Sequence, residues 1–136
     1  MIKRCTFLFI LLLFFLCGCN QDNAGILFNK NPITEKNIYD YSKAFLKGSR
    51  IYYVVLMPKK VESRYLYIQV IKKDNDYGRL GYDLIWTRDV RLKDEEINYY
   101  TDYFVINQKG YYAMKVYSKD NPHKVLAMSE FYVGDR

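Results

Sequence analysis

The chain has 136 residues, three of them cysteine and one histidine, with a formal charge of +6 spread thinly over its length. That supply excludes histidine-based catalysis beyond a single group and any zinc site of ordinary ligand composition. The scattered charge lacks the dense basic stripe of a nucleic-acid footprint.

The first 18 residues have the three-part layout of a secretory signal. Lys3 and Arg4 give the positive start, and 6–16 is an apolar run of mostly Phe and Leu. That run is shorter than the roughly 20 apolar residues that span a bilayer. It ends in Leu16-Cys17-Gly18-Cys19, which resembles the lipobox of bacterial lipoproteins. The resemblance implies diacylglyceryl modification of Cys19, cleavage before it, and palmitate-like acyl chains as the membrane anchor. Two or more chains hold a protein far more firmly than one, at roughly 0.8 kcal/mol per buried CH2. Asn20, not Asp, follows the cysteine; in enteric-type lipoproteins this implies the outer membrane where the host has one. Cys5 and Cys17 leave with residues 1–18, so the mature chain keeps no thiol for a disulfide or a nucleophile. Loss of Lys3 and Arg4 lowers its formal charge from +6 to +4.

Residues 19–25 read as a polar lipidated tether, and 26–136 as a single domain. Within it, 34–46 is ambiguous. Ile38, Tyr41 and Phe45 have helical spacing behind a possible Thr34 cap, and an irregular first strand is the reading adopted. Residues 51–57 form an unbroken apolar run, suited to a strand buried on both faces. Leu66, Ile68 and Val70 alternate with Tyr65, Tyr67 and Gln69. The run 74–78, DNDYG, is turn chemistry. Leu80, Tyr82, Leu84 and Trp86 share the parity of another strand, and Val90 and Leu92 suggest a further short one. A charged loop at 93–96 precedes a β-favouring run at 99–106, and 107–110 turns it back. Tyr112, Met114 and Val116 then alternate with Tyr111, Ala113 and Lys115. A turn at 120–122, containing Pro122, leads to a closing strand at 125–133. Six or seven strands at roughly ten-residue intervals predict an all-β domain, either a sandwich or a small barrel.

The step Gly110-Tyr111-Tyr112, after a turn and before an alternating strand, resembles the tyrosine corner of immunoglobulin-like domains. The resemblance implies an antiparallel immunoglobulin-like β-sandwich in which the Tyr112 hydroxyl bonds back to upstream backbone. The chain departs from antibody domains in lacking their cysteine pair and a Trp on the strand at 65–71.

Candidate chemistry is sparse. His123 sits beside Pro122 in the expected turn. The sequence offers no nucleophile elbow, phosphate-cradling loop, cofactor motif or metal-ligand set. Asp94, Glu95, Glu96 and Asp102 are the densest carboxylates, enough for a two-acid enzyme acting on wall polysaccharide. Asp74 and Asp76 lack the later ligands of a calcium loop. Fifteen tyrosines are the unusual feature. Strand parity turns Tyr65, Tyr67, Tyr111 and Tyr117 outward, and tyrosine suits binding surfaces because it pairs apolar area with a polar tip. It also suits half-buried sheet faces for purely structural reasons. The function these features favour is a non-enzymatic, lipid-anchored binding or assembly module for another envelope protein or a glycan. The alternatives are the carboxylate enzyme and a barrel carrying a small apolar ligand.

Overall fold

The computed structural model describes residues 24–57, 64–73, 82–93 and 98–135. The lipobox with Cys19, the tether as far as residue 23, the turn at 74–78 and the acids Asp94, Glu95 and Glu96 lie outside them. Among the described residues there is no helix. Eight strands are present: β1 (Gly25–Asn29), β2 (Ala44–Leu46), β3 (Arg50–Leu56), β4 (Tyr65–Lys72), β5 (Asp83–Arg91), β6 (Tyr99–Val105), β7 (Gly110–Ser118) and β8 (Asn121–Gly134).

Alternation explains the strands and the way they stack. Ile51, Tyr53 and Val55 on β3 point one way, as do Leu66, Ile68 and Val70 on β4 and Tyr112, Met114 and Val116 on β7. All nine are fully buried. Removing one such side chain from water contributes about 1.5–3 kcal/mol, so these faces must meet. They do so as two sheets, ordered β1-β3-β6 and β2-β8-β7-β4-β5. Neighbours pair antiparallel except β2 and β8, which run parallel. The chain changes sheet between β1 and β2, β2 and β3, β3 and β4, β5 and β6, and β6 and β7, the crossing pattern of an immunoglobulin-like sandwich. Phe28, Phe45 and Phe131 bind the sheets along the β1–β8 side, their ring centroids 4.9–6.3 Å apart. This side needs no disulfide.

The structure corrects several sequence expectations. Residues 25–29 form β1, where the sequence reading placed the end of the tether and named no strand. The segment 34–46 contains neither the helix nor a full strand. The Asn37 side chain accepts from the Thr34 N–H at 2.7 Å and donates to the Pro32 carbonyl at 2.8 Å. Such local bonds divert backbone groups from a helical ladder, and only the three residues of β2 become strand. Gly48, at φ +75°, turns the chain from β2 into β3, a conformation that disfavours any side chain.

Residues 83–91 are one strand rather than parts of two. The β4–β5 register shifts between Val70 and Ile71, which pair with Trp86 and Leu84. Ile85 is the extra residue of this bulge, so Trp86 turns inward while Leu84 turns out, contrary to their shared parity. At the β7–β8 hairpin the turn is Lys119–Asp120, not 120–122. Pro122 sits in β8, within the irregular stretch between the Ser118–Asn121 and Tyr117–Val125 pairs. No regular ladder bond is demanded of it there.

Candidate functional site

The outward face of the five-stranded sheet receives Tyr65 and Tyr67 from β4 and Tyr111 and Tyr117 from β7. Their inward neighbours Leu66, Ile68, Tyr112 and Val116 fill the core, and the pleat fixes the direction of the tyrosines. Tyr65 and Tyr111 are exposed, while Tyr67 and Tyr117 are half-buried. The four form two groups. Tyr67 faces Tyr117 across the strands with ring centroids 6.3 Å apart, and the Arg91 guanidinium lies 6.0 Å from the Tyr65 ring. At the other end Tyr111 packs against Tyr132 on β8, at 4.9 Å. Lys73, whose N–H donates to the Tyr111 carbonyl, lies six positions along the chain from Tyr67, just past the end of β4. That is about 20 Å of strand.

Between the groups the surface is mixed. Lys115 stands 5.7 Å from the Tyr82 ring, and Lys73 is paired with Glu130. The Glu130 hydrogen bond holds the Lys73 ammonium above its usual pKa. Beside Tyr111, an open depression of about 430 Å³ is lined by Lys43, Lys73, Tyr111, Glu130, Phe131 and Tyr132. Tyr132 was not among the sequence candidates. Its signal was the alternation of 130–133, where Phe131 and Val133 go to the core and Glu130 and Tyr132 outward.

Tyr112 lies behind this face. It is fully buried, its ring stacks on Phe131 at 5.5 Å and 13°, and its hydroxyl donates to the Gln108 carbonyl at 2.6 Å. A bond back to the turn four residues upstream is the geometry a tyrosine corner requires.

The carboxylates are disposed differently. Asp102 is not part of an exposed loop cluster. It points inward from β6 at the edge where the two sheets approach, and pairs with Arg88 of β5. It also accepts from the Tyr100 hydroxyl at 3.2 Å and the Tyr103 N–H at 2.8 Å. Three donors occupy this carboxylate. Behind it, the Tyr53 hydroxyl is buried without a hydrogen-bond partner, and burial pushes its pKa far above the ordinary tyrosine range. Trp86 closes the edge, 5.4 Å from Phe104 and 6.4 Å from Tyr53. His123 is exposed near the start of β8. Among the described residues, no three His, Cys, Asp or Glu side chains are grouped so as to hold a metal ion.

Sheet order, crossing pattern and the Tyr112 bond together define an immunoglobulin-like β-sandwich. No protein-family model and no curated protein matches the chain. Solved structures do. The soluble domain of PmoD from Methylocystis sp. ATCC 49242 superposes with a TM-score of 0.53 at 14% identity, covering 85% of this chain and 94% of that one. A CARDB domain from Pyrococcus furiosus, in complex with di-metal ions, gives 0.41 at 14% identity over 82% and 90%. A β-glucosidase from Listeria innocua gives 0.44 at 11% identity, over 82% of this chain and 16% of the enzyme. The likeness to PmoD is one of fold alone.

Proposed function

We propose that the protein is a non-enzymatic module of the bacterial envelope, held to a membrane by acyl chains on Cys19. It recognises another envelope protein or a glycan through the outward face of its five-stranded sheet. The observation that carries this reading is the shared face of Tyr65, Tyr67, Tyr111 and Tyr117. Tyrosine loses little rotamer freedom on binding and offers both ring and hydroxyl. Lys73, Lys115 and Glu130 between the rings supply the polar contacts that fix orientation.

The experiment has two arms. Cells are fed a clickable fatty-acid analogue, and wild type should take up label that Cys19→Ala loses while accumulating as precursor. Equal labelling would remove the anchor. A photoreactive residue is then placed at Tyr67, at Tyr111, or at Tyr39, which lies on the loop between β1 and β2. Adducts of one discrete mass from the two sheet positions, and none from Tyr39, are the expected outcome. Indistinguishable patterns from all three would remove the recognition surface.

A further inference from the structure

The second outward face, that of β1-β3-β6, has a different character. It presents Tyr99, Thr101, Tyr103 and Val105 from β6, with the half-buried Leu27 from β1 and Tyr52 and Leu56 from β3, while Val54 between them is buried. Tyr99 and Tyr103 are 47% and 42% exposed. No carboxylate points outward from these three strands, since Asp102 is turned to the interior. The one outward charge is Arg50, whose guanidinium lies 4.8 Å over the Tyr103 ring. The five-stranded sheet, by contrast, sends out Lys73, Asp89, Arg91, Lys115 and Glu130. An outward face that is mostly aromatic and aliphatic, with no acid, is the kind of surface that marks an interaction site.

We propose that this three-stranded face lies on the lipid surface that anchors the protein. The proposal rests on the membrane anchoring argued above and names the surface that anchoring brings into contact. Gly25 is the first residue of β1, at the edge of this sheet, and lies only six positions after Cys19. Six residues of fully extended chain reach about 20 Å. Most of the three-strand face is within that reach, whereas the outward face of the other sheet lies across a core about 10 Å thick and points the opposite way. The chemistry matches the destination. Tyrosine is enriched where headgroups meet acyl chains. Arg50 can rest its stem on apolar surface and keep its guanidinium among phosphates, and the absence of acids avoids repulsion from anionic lipid. Laid flat in this way, the domain turns its tyrosine-bearing five-stranded sheet away from the bilayer.

The test uses the full chain recovered from membranes and reconstituted in phosphatidylethanolamine–phosphatidylglycerol vesicles brominated near the headgroup. Thr101→Trp places a reporter on the proposed contact face and Lys115→Trp one on the opposite face. Trp86, the only native tryptophan, is the common background. The expected result is blue-shifted emission from position 101, quenched several-fold by brominated lipid, and solvent-like, unquenched emission from 115. Protein that stays with the vesicles but shows neither reporter quenched overturns the lipid contact and leaves the anchoring intact. Protein that separates from the vesicles overturns the anchoring and the contact with it. A blue shift at 101 without quenching, accompanied by cross-links between copies, assigns the face to a second copy and overturns the lipid contact.

Discussion

Tyr53 and Tyr112 are both fully buried, yet only the Tyr112 hydroxyl has a hydrogen-bond acceptor, the Gln108 carbonyl. Removing the two hydroxyls should therefore have opposite effects. Tyr112→Phe loses a buried bond and orphans the Gln108 carbonyl, at a cost of about 0.5–1.5 kcal/mol, rising to about 3 if that carbonyl stays dry. Tyr53→Phe removes a buried hydroxyl that makes no well-formed hydrogen bond. It should leave stability unchanged or raise it by up to about 1 kcal/mol. Tyr111→Phe, on the outward face with its ring kept against Tyr132, should shift stability by less than about 0.5 kcal/mol. Urea melts of the three variants decide the matter. A larger loss at Tyr111 than at Tyr112 would invert the register of β7, and a loss above about 1 kcal/mol at Tyr53 would reveal a partner for its hydroxyl.

Strands β5 and β6 end their respective sheets on the same side of the sandwich, and Arg88 with Asp102 joins them there. The Arg88 side chain is 46% exposed, so solvent screens much of the attraction. A double-mutant cycle with Arg88→Ala and Asp102→Ala should give a coupling of about 0.5–1 kcal/mol. Asp102→Ala alone should cost more than Arg88→Ala, because it also strips the acceptor from the Tyr100 hydroxyl. A coupling near zero would mean that Trp86 packing alone holds this edge. The same edge shows where sequence patterns stop being readable. β3, β4 and β7 were legible because Ile51, Leu66 and Met114 belong to unbroken alternations set by burial. β5 was not, because Ile85 inserts one residue and reverses the parity of everything before it. β1 was hidden by its five-residue length and the polar run ahead of it, and β2, with three residues, has too few positions for a period to show. Of the candidate surface, the directions of Tyr65, Tyr67, Tyr111 and Tyr117 followed from the alternation of β4 and β7. Their division into two groups did not, because it depends on which strand lies beside which.

At the scale of the whole molecule, the core is a single apolar layer between two sheets, with no cysteine after position 19. Residues 25–136, expressed alone, should give a far-UV circular dichroism spectrum of β type and a melting temperature that reductant does not move. A helical spectrum would contradict the architecture, and a reductant-dependent shift would contradict stabilisation by packing alone. The ends of the domain have a further consequence. β1 and β8 lie side by side and point the same way, and β2 runs parallel to β8 through the pairs Ala44–Tyr132, Phe45–Val133 and Leu46–Gly134. The first residue of β1 and the last of β8 are therefore at opposite poles. A pull applied between these two poles would act along the strands. It would drag β1 lengthwise against β3 and β8 against β2, so their hydrogen bonds would have to yield together instead of peeling one by one.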